Sequence, residues 1–293
     1  MKDGKRITKY FEWIAVAALL IGLMYVSTQS SLIGNLKPET GVQKIISMTG
    51  TFVMIFLALA AHEAGHLMEG LRSGFRFELY VVGPFGFKRE GDRVKMYFNR
   101  DMAYFGGVAA TLPKDDNPKN AKVFARILLA GPIASLLFAV TCFVLAFAAG
   151  KPFGIVSYVG GIISLGLFFA TTIPSRTGMF FTDRKRYQRL TRPGKDQEVE
   201  LALLKIMGRY AKYGSYRNID KSDIEILIDD ELPFFQYYGL FNLICLQLEN
   251  EGIAEEQVEK DYALLSENMS KNVVLSFDKE IALQKEKFQK SIG

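Results

Sequence analysis

Apolar residues gather into long uncharged blocks, with the charges confined to the stretches between them. Residues 127–150 and 152–174 are uncharged throughout. At 1.5 Å of rise per residue each is long enough to cross a hydrocarbon core of about 30 Å. Residues 45–61 form a third block, which reaches spanning length when its helix continues to residue 67. An earlier block, 13–26, extends through polar but uncharged residues to Ile33 and follows Lys2, Lys5, Arg6 and Lys9. A secretory signal begins the same way, but no Ala-x-Ala cleavage pattern follows here, so the expectation is a retained first span.

Between the second and third blocks the pattern changes period. Residues 75–82 are rich in aromatic and β-branched residues, Gly83-Pro84 and Glu90-Gly91-Asp92 punctuate, and Val94 to Phe98 resumes the strand-like run, which together predict a β-hairpin or two short hairpins. After Asp183 the chain becomes charged and amphipathic. Helices are expected at 197–210, 222–230, 233–248, 254–266 and 274–289. The expected fold is mainly α: a polytopic membrane bundle of about four transmembrane helices, a small β-hairpin insertion and a C-terminal helical cytoplasmic domain. The organisation follows: 1–34, basic arm and first span; 35–190, a core with spans 45–67, 127–150 and 152–174 and a hairpin loop at 75–113; 191–293, the cytoplasmic helical domain.

Composition adds direction. The 293 residues are 49% hydrophobic and the mean hydropathy is +0.12, which excludes disorder. Cys142 and Cys245 lie far apart in apolar runs, so they read as buried thiols and not as a disulfide framework. The net charge of +5 is too small to argue for nucleic acid. Its placement matters more: Lys and Arg cluster in the N-terminal arm, in 72–122 and in 184–192, while the connections at 34–44 and at Lys151 are poor in them. By the positive-inside rule both termini are cytoplasmic, in a multi-pass protein of the cell membrane. The second and fourth spans then end on the same side.

Both histidines of the chain lie where the second span ends, in Ala61-His62-Glu63-Ala64-Gly65-His66-Leu67. On a helix His62 and His66 share a face one turn apart and can bind one zinc ion, with Glu63 beside them as general base. Ionisable groups at membrane depth are functional suspects by default. Catalytic zinc takes three protein ligands, and without another histidine the third must be acidic. Glu69 points along the helix away from the metal, and Asp101, Asp115 and Asp116 read as turn residues. Asp183 follows the fourth span at the level of the histidines, where it is either a ligand or an ordinary interfacial charge next to Arg184.

These pieces resemble the site-2 protease family of intramembrane zinc metalloproteases, in its small four-span bacterial form without a PDZ domain. The residues that carry the resemblance are His62–His66, Ala130-Gly131-Pro132-Ile133-Ala134-Ser135 and Thr171-Thr172-Ile173-Pro174 through Thr182-Asp183. It implies a bacterial plasma-membrane endopeptidase with one Zn2+ per chain held by His62, His66 and Asp183, and with Glu63 catalytic. Gly106, Gly107, Ser135 and Thr171 are then expected at the substrate. The implied partners are a membrane protein or peptide substrate, the lipid bilayer and a regulatory partner on the C-terminal domain, with no nucleic acid. Thr171 and Ser135 stand where the family often has Asn, Arg184 where it has Gly, and the interval from Pro174 to Asp183 is longer than usual. The competing expectation is a non-proteolytic membrane binder of the same fold, for peptide immunity or sensing; the intact Glu63 and histidines argue against it.

Overall fold

The computed structural model describes residues 34–91, 93–177 and 180–292, with Gly22 and Tyr25 ahead of them. The expected first span lies outside these residues. The chain is mainly helical with a small four-stranded sheet. It divides into two compact units, one of 1–73, 77–111 and 124–187, the other of 74–76, 112–123 and 188–293.

Three helices of the first unit are long and apolar enough to cross a membrane: α1 (Gly41–Arg72), α2 (Asn120–Ala148) and α3 (Phe153–Thr172). Helix α1 opens on a capping box, in which the Thr40 hydroxyl accepts from the Gln43 amide and the Gln43 side chain accepts from the Thr40 amide, so that two otherwise orphaned donors are satisfied. At about 48 Å it outruns the hydrocarbon core, which carries its last turns, with His62 to Arg72, beyond the uncharged stretch. Small residues set the helix contacts. A Cβ on Gly50 would meet Val156 at 2.8 Å and one on Gly160 would meet Met54 at 2.3 Å, where α1 and α3 cross.

Where one hairpin or two short ones are expected the structure has four strands: β1 (Arg76–Val82), β2 (Phe85–Glu90), β3 (Arg93–Phe98) and β4 (Val108–Leu112), in the order β3-β2-β1-β4. The additional strand comes from a segment, Val-Ala-Ala-Thr-Leu, too short and too rich in Ala to declare itself by alternation. The sheet lies against the apolar part of α1. The Tyr80 hydroxyl donates to the Ala60 carbonyl at 2.9 Å, and Gly83 packs so tightly on the Phe56 ring that a Cβ would sit 2.3 Å from it. The β2–β3 register puts Phe85 opposite Phe98, Phe87 opposite Met96 and Arg89 opposite Val94. All the apolar members of these pairs are exposed, and by strand alternation they share one face. The other face carries Lys88, Lys95 and Glu90; hydrogen bonds from the two lysines hold the Glu90 carboxyl down at about 2.

The second unit is helical. After α4 (Asp183–Thr191), whose first residues belong to the first unit, come α5 (Lys195–Tyr213), α6 (Lys221–Ile228), α7 (Pro233–Glu251), α8 (Glu256–Ser266) and α9 (Lys271–Ile292). Helix α7 is central, its aromatic face stacking Tyr237 on Tyr262 at 4.6 Å and Phe241 on Phe277 at 4.2 Å between ring centroids. Residues 112–123 join this unit through Asp116, which accepts from Arg209 Nε at 3.0 Å, and through Gly208, where a Cβ would lie 2.0 Å from the Asp115 carbonyl oxygen. Arg189 is 5% exposed and donates through Nε to the fully buried Glu200 at 3.1 Å and through Nη1 to Asp196. Removing one member of such a pair strands the other charge. Arg189→Leu is therefore expected to destabilise the second unit by about 3 kcal/mol, read as an earlier loss of helical circular dichroism on heating in detergent. Adding Glu200→Gln to that variant restores part of the loss.

Candidate metal centre

The helical run of α1 through residues 62–66 puts both imidazoles on one face, as their spacing predicts. Their Nε2 atoms lie 3.2 Å apart, with the rings nearly perpendicular. Asp183 closes the group: Oδ2 is 3.2 Å from His62 Nε2 and Oδ1 is 3.4 Å from His66 Nε2. Among the described residues this is the one set of three such side chains able to hold a metal.

The donor set fits zinc. Ligand atoms at about 2.0–2.1 Å from a tetrahedral ion are separated by about 3.3 Å, close to the 3.2 Å between the two Nε2 atoms and to the 3.2 and 3.4 Å from them to the two Asp183 oxygens. Asp183 Oδ2 is buried and satisfied by no hydrogen bond, although His62 Nε2 lies 3.2 Å away. A buried acceptor beside two imidazole nitrogens, all converging on one point, is what a cation site requires.

The interval from Pro174 to Asp183 has a structural use. Strands β5 (Arg176–Thr177) and β6 (Phe180–Phe181) pair antiparallel, and the ends of this ribbon meet: Thr182 N donates to the Ser175 carbonyl at 3.0 Å, and the Thr182 hydroxyl donates to the Ile173 carbonyl at 2.9 Å. The extra residues fold back on themselves and deliver Asp183 beside the end of α3, as the first residue of α4.

Helix α2 supports the imidazoles from behind. His62 Nδ1 is 2.9 Å from Ser135 Oγ, and His66 Nδ1 is 2.6 Å from the Ile127 carbonyl oxygen. Pro132 lacks an N–H and removes a rung from this part of α2. The approach is very close. A Cβ on Gly131 would lie 2.2 Å from His66 Nε2, and one on Gly65 would lie 2.5 Å from the Ala130 carbonyl oxygen and 2.6 Å from the Ala134 Cβ.

Glu63 is buried next to the histidines and accepts a hydrogen bond from the backbone of Ala109 in β4. Gly107, at φ +100, has its backbone so near that a Cβ would be 2.8 Å from Glu63 Oε1. Further along, a Cβ on Gly70 would be 2.3 Å from Thr111 Oγ1, so β4 runs beside the stretch of α1 that carries the motif. As the last strand in the sheet order, β4 has one unpaired edge among the described residues.

The remaining expected positions fall out differently. Ser135 is fully buried behind His62, where it can orient a ligand; the resemblance suggested a place at the substrate. Thr171 donates to the Leu167 and Phe168 carbonyls of its own helix. Gly106 has open space around it. Glu69 is engaged by Ser73 and by Arg126, each at 3.0 Å, away from the metal group. Asp115 forms a turn by accepting from the Asn117 amide. Sequence reasoning missed the backbone partners at Ile127 and Ala109, which no side chain signals, and Ser164, whose hydroxyl donates to the Ser135 carbonyl at 2.7 Å.

No curated protein and no solved structure gives a significant match to this chain. The family model described as Peptidase family M50 matches residues 50–290, most of the chain and all of the metal group. The chain belongs to peptidase family M50, the site-2 protease family of membrane metalloproteases.

Proposed function

We propose that the protein is a zinc-dependent intramembrane endopeptidase that cleaves a membrane-embedded or membrane-associated peptide or protein near the cytoplasmic face. The observation that carries this reading is the convergence of His62, His66 and Asp183 to within bonding range of one cation, with Glu63 beside them. The proposed topology is four spans with both termini cytoplasmic, comprising 1–34, the metalloprotease core 35–190 and the helical domain 191–293, which is open to a regulatory partner. The exposed apolar face of β2–β3 supports contact with lipid, since a ladder of this size is unusual on a surface that meets only water.

His62, His66 and Asp183 hold the ion, and Asp183 brings the one formal negative charge. A bound zinc ion supplies Lewis acidity, which polarises the scissile carbonyl and makes water a stronger acid. Glu63 takes a proton from the attacking water on a carboxylate oxygen and returns it to the leaving amine. Burial leaves these charges little screened, which strengthens every interaction in the site. The Ala109 amide and the Gly107 backbone fix where the Glu63 carboxylate stands.

A helical substrate has to unwind before its backbone can reach the site, and an edge strand can replace the hydrogen bonds it loses. The outer edge of β4 lies beside Glu63 and is proposed to take the substrate in extended form, with Gly106 and Gly107 at the entry.

Glu63→Gln is expected to lower cleavage by about 10²–10⁴-fold while zinc content, measured by mass spectrometry of the purified protein, stays near one per chain. Asp183→Asn should lower the zinc content itself. Membrane peptide profiles of the native host that are identical for wild type and Glu63→Gln, with zinc in both, would favour a binding role instead. Proline at Thr111, which has the strand parity of Ala109, should lower cleavage at least about tenfold by removing an outward amide from the edge and leave zinc content unchanged; undiminished cleavage would remove β4 from substrate binding.

A further inference from the structure

We infer that Ser135 is a positioning residue that fixes the ring of His62, and that Ser164 in turn fixes Ser135. The inference rests on the metal reading above and assigns to Ser135 a task other than contact with substrate. An imidazole presents a lone pair at Nε2 only when its proton sits on Nδ1, and that proton needs an acceptor. For His66 the acceptor is a backbone carbonyl, Ile127 O at 2.6 Å, which can only accept and so permits one tautomer. For His62 the group at that place is the Ser135 hydroxyl, 2.9 Å from Nδ1. A hydroxyl can donate as well as accept, so the surroundings of Ser135 decide which tautomer it selects.

Those surroundings are dry and fixed. Ser135 and Ser164 are both 0% exposed. Among the described residues the Ser135 hydroxyl has no partner but His62 Nδ1, so once Nε2 faces a cation the ring proton belongs on Nδ1 and the hydroxyl is the group placed to accept it. The Ser164 hydroxyl donates from α3 to the Ser135 carbonyl at 2.7 Å and ties this turn of α2 to the neighbouring helix. Gly131, one turn earlier, leaves no room between α2 and the His66 ring. The Gly-x-x-x-Ser spacing thus serves both ligands: the glycine admits one imidazole and the serine holds the other. Partners of this kind orient the ligands in metal sites, and their loss typically weakens metal binding 10–100-fold.

The chain has two histidines, so ¹⁵N-histidine labelling yields the signals of two rings only. In the metal-free protein in detergent, wild type should show His62 protonated at Nδ1. Ser135→Ala should shift His62 toward a tautomer mixture while His66 keeps its signals and reports an intact fold. Titration with zinc against a chelator should give a Kd raised about 10–100-fold by Ser135→Ala, restored to within about threefold of wild type by Ser135→Thr, and raised by a smaller factor in Ser164→Ala. A His62 tautomer and a zinc Kd both unmoved by Ser135→Ala would overturn the inference. If wild type takes up no zinc at all, the metal reading falls, and the metal-free ring spectra still decide whether Ser135 sets the His62 tautomer.

Discussion

Everything near the candidate centre follows from one constraint: two imidazoles and the Glu63 carboxylate are buried among apolar helices, with Asp183 half-buried beside them, where a polar atom without a partner is costly. The protein answers from the backbone and from one hydroxyl. Ile127 O and Ser135 take the outer ring nitrogens and the Ala109 backbone takes Glu63, which leaves the inner nitrogens and the Asp183 oxygens facing one another. These partners can reach only because Gly65, Gly131 and Ala134 bring α1 and α2 almost into backbone contact. The small residues are therefore more than a packing convenience, since any side chain at Gly131 would occupy the place of the His66 ring.

The same constraint explains why a sheet lies at the level of apolar helix. A strand away from water needs its amides paired, and β1 meets this by pairing on both sides, with β2 and with β4. Among the described residues the outer edges of β3 and β4 are left open, and the one on β4 runs alongside Glu63. The exposed apolar side chains of β2–β3 gather on one face, and the lysines around Glu90 gather its charge on the opposite face.

Much of this is written in residue types. Three helices long and apolar enough to cross a membrane can be read from uncharged length alone, because in hydrocarbon composition nearly fixes conformation; their ends shift by several residues, as in α1, where a capping box at Thr40 sets the start. The His-Glu-x-x-His register is legible because 3.6 residues per turn puts positions 62 and 66 on one face. The β4 strand carries a weaker signal, since Val-Ala-Ala-Thr-Leu has no alternation and becomes a strand by pairing with β1. The geometry of Ser135 is not legible: its motif position suggested substrate, while its actual neighbour, His62, is 73 residues away in sequence, a contact that only the packing of α1 on α2 creates. Backbone acceptors such as Ile127 O leave no trace in side-chain chemistry at all.

Asp183 shows how a sequence departure can leave geometry intact. The distance along the chain from Pro174 is longer than the family's usual interval, yet the β5–β6 ribbon closes on itself at Ser175 and Thr182, so the extra residues add no distance where it counts. The ribbon also makes Asp183 the first residue of α4, where the unpaired amides and the dipole of a helix start favour a negative charge. The Asp183 carboxylate thus has the helix start as well as the two imidazoles beside it. The orientation of α4, and with it the line of Arg184, Lys185 and Arg186, is consequently tied to the position of Asp183: a residue inserted between Thr182 and Asp183 would turn the carboxylate away from both histidines.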